Sequence, residues 1–341
     1  MVLPSRLTIG IPTLNRADLV AKLVQVCLSQ TLVPYEIIVS DDASDDTTLA
    51  NLDALAHPRL KILKQHPRLG MIANWNACLD SCTSEYFVLI SDDDMICQDF
   101  AEQVEATLAK APGADLLIVR GRIVDRLTGE TNTNHPPIMA AGSADFVRDI
   151  LPAWLDCSFV LPFASMVFKV AALRAAGGFV TNFPYASDAA TWLPIAMRGH
   201  CAFFPEAKVD CIVHEGMATR TFNVETLIED IVKLMALVNT EVKAKSAIPS
   251  ELAGKIQKLS RIYLRRTFGH VMITSARRGV GKGKLLRAWL HYAAKLPLYG
   301  VGALSLGAVL VPLGSIQIIG WPYRKWVNLR RYSNRVRRDE R

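Results

Sequence analysis

Three consecutive carboxylates, Asp92, Asp93 and Asp94, are the strongest chemical signal in this sequence. They directly follow the apolar run Tyr86 to Ile90, which predicts a buried strand. Adjacent carboxylates repel one another, so a fold tolerates them best where a cation neutralises their charge. Oxygen ligands of this kind suit Mg²⁺ or Mn²⁺, which also bridge to phosphate oxygens. The alternative is a solvated acidic turn that caps the next helix.

A second acidic cluster, residues 41–46 (Asp-Asp-Ala-Ser-Asp-Asp), follows another strand-like segment at residues 35–40. One carboxylate there could accept hydrogen bonds from a base or ribose, while others cap the following helix. A third segment, residues 12–16 (Pro-Thr-Leu-Asn-Arg), follows a first strand at residues 7–11. Because ligands of open α/β sheets bind beyond the carboxyl ends of the strands, we expect these three strand ends to line one site.

Strand-like and helix-like segments alternate around these motifs. We expect strands at residues 7–11, 35–40, 60–63, 86–90, 115–120 and 208–213. We expect helices at residues 18–29, 47–56, 71–81, 100–110, 167–176, 188–197, 224–242 and 251–275. Residues 151–163 are interpreted as a loop that is either mobile or part of the binding site for a second substrate, and Asn15 or Asp18 as the cap of the first helix. The alternation predicts an α/β fold with a mostly parallel sheet that helices cover on both faces.

The motifs, taken in order, resemble those of a known enzyme family. They read Ile9-Gly-Ile-Pro-Thr-Leu-Asn-Arg, Glu36-Ile-Ile-Val-Ser-Asp-Asp-Ala-Ser-Asp-Asp and Ser91-Asp-Asp-Asp. This combination resembles the family 2 glycosyltransferases over roughly residues 5–220. The resemblance implies the GT-A fold, a Rossmann-like mixed and mostly parallel sheet. It also implies inverting transfer from a nucleotide-diphosphate sugar to a glycan or lipid-linked acceptor, assisted by Mn²⁺ or Mg²⁺.

The resemblance also implies roles for residues on the donor side. Asp42 would bind the nucleobase, and Asp92 the ribose or diphosphate. Asp93 would be the main metal ligand of a DXD-type motif, with Asp94 nearby. Pro12, Asn15 and Arg16 would line the nucleotide pocket. Two departures from the family pattern bear on this site: Leu14 replaces an aromatic residue that would stack on the base, and Ser91 replaces an Asp.

Residues 68–76 match the segment that the family carries between its second and third motifs. There Arg68 would join the donor site, and Gly70 would let the backbone approach the nucleotide. Asn74 and Asn76 are either part of this site or polar groups on a helix surface. In the same family a His at position 214 can reach the metal or the diphosphate, and a surface His beside a turn is the alternative.

Attack by an acceptor hydroxyl on the anomeric carbon needs a general base. Asp188, in the segment Tyr185-Ala-Ser-Asp, is the candidate, with Ser187 where the family more often has Glu. The alternative is that Asp188 only caps a helix. Glu206 and Asp210 are weaker candidates because they fall in a strand-like run, and Arg220 is a further candidate on the donor side.

Charge is distributed unevenly along the chain. Residues 241–341 contain 21 Lys and Arg against 4 Asp and Glu, whereas the first 240 residues contain 18 against 28. Residues 296–323 contain no charged side chain. We therefore expect a GT-A domain at residues 1–220, a basic helical extension at 221–295, and an apolar, membrane-associating tail with basic flanks at 296–341.

The apolar tail is long enough to cross a bilayer. Both of its flanks are basic, however, and positive flanks prefer the cytoplasm. A re-entrant or in-plane segment that binds an anionic membrane surface at about 1 kcal/mol per basic residue therefore fits better. The alternative is a helical tail packed on the catalytic domain or in an oligomer. With no leader-like segment and seven scattered cysteines, we expect a cytoplasmic protein, peripheral on the cytoplasmic face of the membrane.

Three other functions are possible for such a sequence. A sugar-1-phosphate nucleotidyltransferase also needs carboxylates and a metal, but it would carry a loop rich in Gly and Arg where this chain has Pro-Thr-Leu-Asn-Arg. A nucleic-acid-binding protein would interleave basic and aromatic residues, which the apolar tail does not do, so no nucleic-acid partner is expected. A non-catalytic, membrane-binding transferase fold is disfavoured by the intact Asp93 and Asp188.

Overall fold

The computed structural model describes residues 5–126, 129, 131–132, 145–214 and 223–277, with Gly283, Leu285 and Arg287. Of residues 204–208, 273–274 and 276–277 it describes the backbone alone. The described residues fall into two compact units. One contains the residues up to 214 together with 233–260, and the other contains residues 223–232 and those from 261 onward.

Nine strands within the described residues form one sheet. Their bounds are β1 Leu7–Thr13, β2 Glu36–Asp41, β3 Leu60–Lys64, β4 Tyr86–Leu89, β5 Met95–Ile96, β6 Leu116–Asp125, β7 Thr131–Asn132, β8 Met166–Lys169 and β9 Cys201–Val213. The order across the sheet is β3-β2-β1-β4-β8-β6-β9-β5, with β7 paired to β6. Parallel ladders join β3, β2, β1 and β4 to one another, and β6 to β9. Strand β8 runs antiparallel to both of its neighbours, β4 and β6.

Helices connect the strands and cover the sheet. Their bounds are α1 Ala17–Leu28, α2 Thr48–Asp53, α3 Met71–Ser81, α4 Phe100–Lys110, α5 Leu151–Leu155, α6 Val170–Ala175, α7 Ser187–Arg198, α8 Val224–Ala244 and α9 Ser250–Arg277. A π-helical turn at Phe146–Ile150 precedes α5, and a 3-10 turn at Phe163–Ser165 precedes β8. The predicted mixed, mostly parallel α/β sheet is confirmed, and its antiparallel pairs involve the strands that follow β4 along the chain.

Burial explains why β1 and β4 lie at the centre of the sheet. All four residues of β4 are buried, and in β1 only Pro12 is partly exposed. Apolar runs without polar alternation are typical of parallel strands that are covered on both faces. Gly10 in β1 makes room for the ring of Phe87 in β4, since a Cβ at position 10 would lie 2.5 Å from Phe87 Cζ. This packing fixes two of the strand ends that carry the acidic motifs.

Three local predictions were wrong, each for a physical reason. The helix expected at residues 167–176 begins only at Val170, because Met166–Lys169 is inserted as strand β8 between two buried strands. The loop expected at residues 151–163 begins instead with α5, where Pro152 occupies the first turn and costs no hydrogen bond. The first helix is capped by neither Asn15 nor Asp18, because Arg16 occupies the N-cap position without a side-chain bond.

The C-terminal predictions divide between described and undescribed residues. Helices α8 and α9 confirm the helices expected after residue 223. Within the described residues, no helix combines the length and apolar composition that a membrane crossing requires. The apolar tail at 296–341, like Arg220, lies outside the described residues, and the three-part division of the chain stays a prediction.

Candidate active site

The carboxylate of Asp92 is fixed at the end of β4 by two neighbouring side chains. Thr13, the last residue of β1, donates its hydroxyl to Asp92 Oδ2 at 2.7 Å, and Arg16 Nη1 donates to Oδ1 at 3.2 Å. Asp92 is only 7% exposed. Burial raises the pKa of its carboxyl to about 6, although Arg16 acts to lower it. The parallel pairing of β1 with β4 thus turns two separate sequence motifs into one buried charged cluster.

Asp93 is the meeting point of the predicted donor-site residues. Its Oδ2 accepts a hydrogen bond from Arg16 Nη1 at 2.6 Å and another from His214 Nε2 at 2.8 Å. His214 directly follows β9, whose residues Asp210 and Val209 pair with β5 immediately after the acidic triplet. Residues from the ends of β1, β4 and β9 therefore converge on one carboxylate oxygen.

Asp94 lines the same cavity as Asp92 and Asp93 but bonds to a different strand. Its Oδ1 accepts the backbone N–H of Ile212 in β9 at 3.0 Å, and its side chain is buried. Burial raises the pKa of the Asp94 carboxyl to about 7. Asp94 thus ties the acidic triplet to β9, and its part in binding a metal stays a prediction.

A divalent cation at this place would need oxygen or nitrogen ligands from the strand ends. Within the described residues, no group of three or more His, Cys, Asp or Glu side chains is arranged to hold a metal ion. The pair Asp93 Oδ2 and His214 Nε2, however, is separated by 2.8 Å. Two ligands at about 2.1 Å from one cation stand about 3 Å apart, and nucleotide sites usually supply one or two protein ligands and take the rest from phosphates and water. The pair therefore fits a cation that is shared with a diphosphate.

Asp42 holds the loop that leads into α3. Its Oδ1 accepts the backbone N–H of Leu69 at 2.6 Å, and its Oδ2 accepts that of Gly70 at 3.0 Å. Arg68 Nε donates to the backbone carbonyl of Asp42 at 3.2 Å. Gly70 has φ +86 with open space around it, so the backbone conformation itself accounts for a glycine there. Hydrogen bonds therefore join Asp42 to Arg68 and Gly70, the three predicted donor-site residues of this region.

Asn15 couples the first two strand ends. Its backbone N–H donates to Ser44 Oγ at 2.7 Å, and its Oδ1 accepts the backbone N–H of Asp45 at 2.9 Å. Asn15 adopts φ 53, a left-handed conformation that Asn tolerates better than most residues. Its amide therefore holds two loops together, and this contact also explains why it does not cap α1.

Asp188 lies in the first turn of α7 and is partly buried. Its Oδ1 accepts the backbone N–H of the next residue, Ala189, at 2.7 Å. The N-cap position belongs to Ala186, so Asp188 is not the cap of the helix. Burial raises the pKa of the Asp188 carboxyl. Ser187, beside it, donates its hydroxyl to the carbonyl of Val180, which fixes the start of α7.

One cavity of about 410 Å³ connects the strand-end carboxylates with Asp188. Its lining includes the predicted residues Pro12, Arg16, Asp42, Asp92, Asp93, Asp94 and Asp188, together with Leu14, Asn74 and Ser91. Asn15, Arg68, Gly70 and His214 do not line it but contact residues in or beside it. Asp210 also lies outside this lining, because it pairs with Arg122 at 2.5 Å. The side chain of Glu206 lies outside the described part of the chain.

Sequence reasoning did not single out several lining residues, among them Trp75, Phe163, Tyr185 and Cys211. Thr13 lies within residues 12–16, which were expected to line the site, and it lines the cavity. The rings of Trp75 and Phe163 pack with their centroids 5.3 Å apart, although 88 positions separate them in the chain. No spacing rule predicts such a contact. Asn74 is buried rather than surface-exposed and exchanges hydrogen bonds with Ser40.

The sequence of this region is similar to a known family. Residues 8–167 match the sequence profile of Glycosyl transferase family 2. An uncharacterized glycosyltransferase of Haemophilus influenzae is 26% identical over 221 residues, which is 62% of this chain and 66% of that protein. The chain spans slightly less than two thirds of the length of the first curated relatives that it matches.

Solved structures share the architecture. S. aureus TarS 1-349 in complex with UDP-GlcNAc has a TM-score of 0.65 at 16% identity, covering 94% of this chain and 91% of that chain. The mannosyltransferase PcManGT from Pyrobaculum calidifontis, in complex with GDP-Man and Mn²⁺, has a TM-score of 0.52 at 21% identity, covering 97% and 85%. At these identities the likeness establishes the fold, which is GT-A.

Proposed function

We propose that this chain, which belongs to glycosyl transferase family 2 through residues 8–167, transfers a sugar from a nucleotide diphosphate to an acceptor hydroxyl with inversion. One observation carries the proposal: a single cavity joins Asp42, Asp92 and Asp93 to Asp188. Such a cavity offers a charged end for a nucleotide diphosphate and a carboxylate for an incoming hydroxyl. The bound UDP-GlcNAc and GDP-Man named for the two fold neighbours support the same class of donor.

At the donor end, each carboxylate has a distinct task in this proposal. Asp42 lines the cavity and shapes the Leu69–Gly70 backbone, so it forms the nucleobase side of the site. Asp92 faces the ribose or diphosphate. Asp93 and His214 would hold Mn²⁺ or Mg²⁺, whose positive charge stabilises a leaving diphosphate. Arg16 adds a second cationic group at the same place.

At the acceptor end, Asp188 accepts the proton of the attacking hydroxyl. The hydroxyl oxygen forms a bond to the anomeric carbon from the face opposite the diphosphate. The bond between that carbon and the diphosphate oxygen breaks, and its electron pair leaves with the nucleoside diphosphate. This single displacement inverts the configuration and leaves one proton on Asp188. The partly buried position of Asp188 raises its pKa and makes the carboxylate a stronger base.

The acceptor in this proposal is a glycan or a lipid-linked saccharide at the cytoplasmic face of a membrane. The support comes from sequence: residues 296–323 lack charged side chains, and Arg residues cluster just after them. Basic flanks of an apolar segment bind anionic lipid surfaces. Deleting residues 290–341 should release the protein from vesicles that contain anionic lipid, and unchanged vesicle binding would contradict this part of the proposal.

Calorimetry with UDP, GDP, dTDP and CDP, each with and without Mn²⁺, tests the donor site. We expect one nucleotide to bind with the aid of the metal, and Asp93→Ala to abolish that aid. The matching nucleotide sugar should then yield free nucleoside diphosphate on turnover. Release of pyrophosphate instead would identify a nucleotidyltransferase, and no binding of any nucleotide would contradict the proposal.

A further inference from the structure

The guanidinium of Arg16 occupies the place between the two carboxylates that a cation would neutralise. Its Nη1 lies 2.6 Å from Asp93 Oδ2 and 3.2 Å from Asp92 Oδ1. The side chain of Arg16 is 25% exposed, and those of Asp92 and Asp93 are 8% and 16% exposed. Charges that are this close and this little exposed interact more strongly than a surface ion pair does. The contact is therefore an internal neutralisation of the acidic cluster.

The contact conflicts with cation binding on the same oxygen. Asp93 Oδ2 already accepts hydrogen bonds from Arg16 and from His214 Nε2. A divalent ion held by that oxygen and that nitrogen would replace both hydrogen bonds. It would also stand beside a guanidinium of the same sign of charge, which raises the free energy of the bound state. Arg16 and a cation therefore compete for one position.

We propose that Arg16 substitutes for the divalent cation until a diphosphate arrives, and that it then moves from Asp93 to the diphosphate. This inference rests on the proposed function, since it assumes that a nucleotide diphosphate and a cation meet at Asp93. The planar guanidinium can bind phosphate oxygens in pairs as well as carboxylates, so the diphosphate offers it an equivalent partner. The bare cation then binds weakly, and cation and diphosphate bind well together.

The arrangement predicts a change that a purely structural arginine would not cause. Removing the charge of Arg16 leaves the carboxylates without their internal cation, so they should bind Mn²⁺ alone more tightly. The Arg16→Gln variant should bind Mn²⁺ about tenfold more tightly than the wild type, a coupling of ordinary size for two competing ligands. The same variant should bind inorganic pyrophosphate more weakly when Mn²⁺ is saturating.

The chain offers a matched control in Arg6. Arg6 also bridges two carboxylates, Glu105 at 3.0 Å and Glu85 at 3.3 Å, but it lies at the other end of β1. Arg6→Gln removes the same charge, so a general change in the protein's field would appear in both variants. Mn²⁺ binding is read from the free-ion signal in electron paramagnetic resonance, with Asp93→Ala as the variant that should not bind.

Tighter Mn²⁺ binding in Arg16→Gln and unchanged binding in Arg6→Gln support the proposal. Equal affinity of Arg16→Gln and wild type, or no Mn²⁺ binding by either, overturns it. If neither protein binds Mn²⁺, the proposal about Arg16 fails, but the proposed transferase stands as long as nucleotide-sugar turnover continues in EDTA. Turnover in EDTA therefore separates failure of the Arg16 proposal from failure of the proposed function.

Should Arg16→Gln not fold, the wild type supplies the second measurement. Modification of Arg16 by phenylglyoxal, read by peptide mass spectrometry, should become faster when Mn²⁺ is added because the guanidinium leaves Asp93. An unchanged or slower rate overturns the proposal.

Discussion

The carboxylate of Asp94 and the backbone N–H of Ile212 form a 3.0 Å hydrogen bond between the acidic triplet and β9. This contact holds Asp94 against β9, whereas the adjacent Asp93 bonds to Arg16 and His214. It also explains why His214, two residues beyond Ile212, reaches Asp93. Burial of the Asp94 carboxylate carries an electrostatic cost, and this cost can be measured.

Asp94→Asn should stabilise the protein at alkaline pH. Burial raises the pKa of Asp94 from 3.8 to about 7, so its favourable contribution exists below the unfolded pKa and is lost as the pH rises through the folded pKa. Asn can still accept the N–H of Ile212 and is never charged. We expect a gain of about 4 kcal/mol at pH 8, since each pKa unit corresponds to about 1.4 kcal/mol, and the gain should shrink to zero or reverse near pH 4. Thermal melts in EDTA across this range measure it, and a gain independent of pH would contradict the argument.

Asp188→Asn should lower kcat by about 10²–10⁴-fold while donor binding persists, because an amide cannot accept the acceptor's proton. Steady-state turnover and nucleotide calorimetry separate the two effects. Asp210→Asn is the matched control, since Asp210 is paired with Arg122 outside the cavity lining. Equal loss of activity in both variants would remove Asp188 from the role of base.

The pH dependence of kcat offers an independent reading of Asp188. A general base works only when it is ionised, and burial raises the pKa of this carboxyl. We expect kcat to fall on acidification, with a midpoint above the ordinary range for aspartate. A midpoint within the ordinary range would contradict the role, and so would an unchanged acid limb in Asp188→Asn.

Asp42→Ala should loosen the loop before α3, because it removes both acceptors of the Leu69 and Gly70 N–H groups. These N–H groups reach water in the variant, so the stability cost should be about 1 kcal/mol. Hydrogen exchange should accelerate at the amides of Leu69 and Gly70, and nucleotide affinity should fall with it. Asp45→Ala, in the same acidic cluster but exposed, should change neither quantity. Unaltered exchange in Asp42→Ala would show that other contacts hold the loop.

Gly10→Ala should destabilise the sheet, because the added Cβ would lie 2.5 Å from Phe87 Cζ and 3.1 Å from Cys78 Cβ. Overpacking of a buried site costs about 1–3 kcal/mol. Gly254→Ala is the opposite case, because this glycine is exposed within α9 and an added Cβ would meet nothing within 4 Å. Alanine should therefore raise the free energy of unfolding by about 1 kcal/mol. Chemical denaturation of both variants tests the pair. A stable Gly10→Ala protein would mean that Phe87 can shift.

The sequence predicts the part of the fold from β1 to β4 well, because neighbouring elements of that part are also close in sequence. Each strand from β1 to β4 is an apolar run followed by a motif, and the parallel order of βαβ units brings those motifs to one edge. The acidic clusters at residues 41–46 and 92–94 can therefore be identified from residue type and spacing, whereas the individual roles of Asp42 and Asp93 came from the family resemblance. Helix α4 was predicted with its observed bounds, Phe100–Lys110.

The second half is not local, and the sequence predicts less of it. Strand β8 comes after β6 in the chain but is inserted between β4 and β6, so its helix-like composition was misleading. The contact of Trp75 with Phe163 depends on that insertion, and the contact of Asp94 with Ile212 depends on the pairing of β5 with β9. Arg16 was expected near a nucleotide. Its bond to Asp93 could not be predicted, because it depends on the register between β1 and β4.

Strand β8 enters the sheet from the edge at which β1, β2 and β4 leave it, because it runs antiparallel to β4. Asp92 and Asp93 therefore line the cavity from the segment that follows β4, and Phe163 lines it from the segment that precedes β8. A mutation before β8 can therefore change the cavity wall at Phe163 without displacing the carboxylates. Under the proposed function, replacing residues 156–165 would change the preference for the acceptor while the preference for the donor is inherited unchanged.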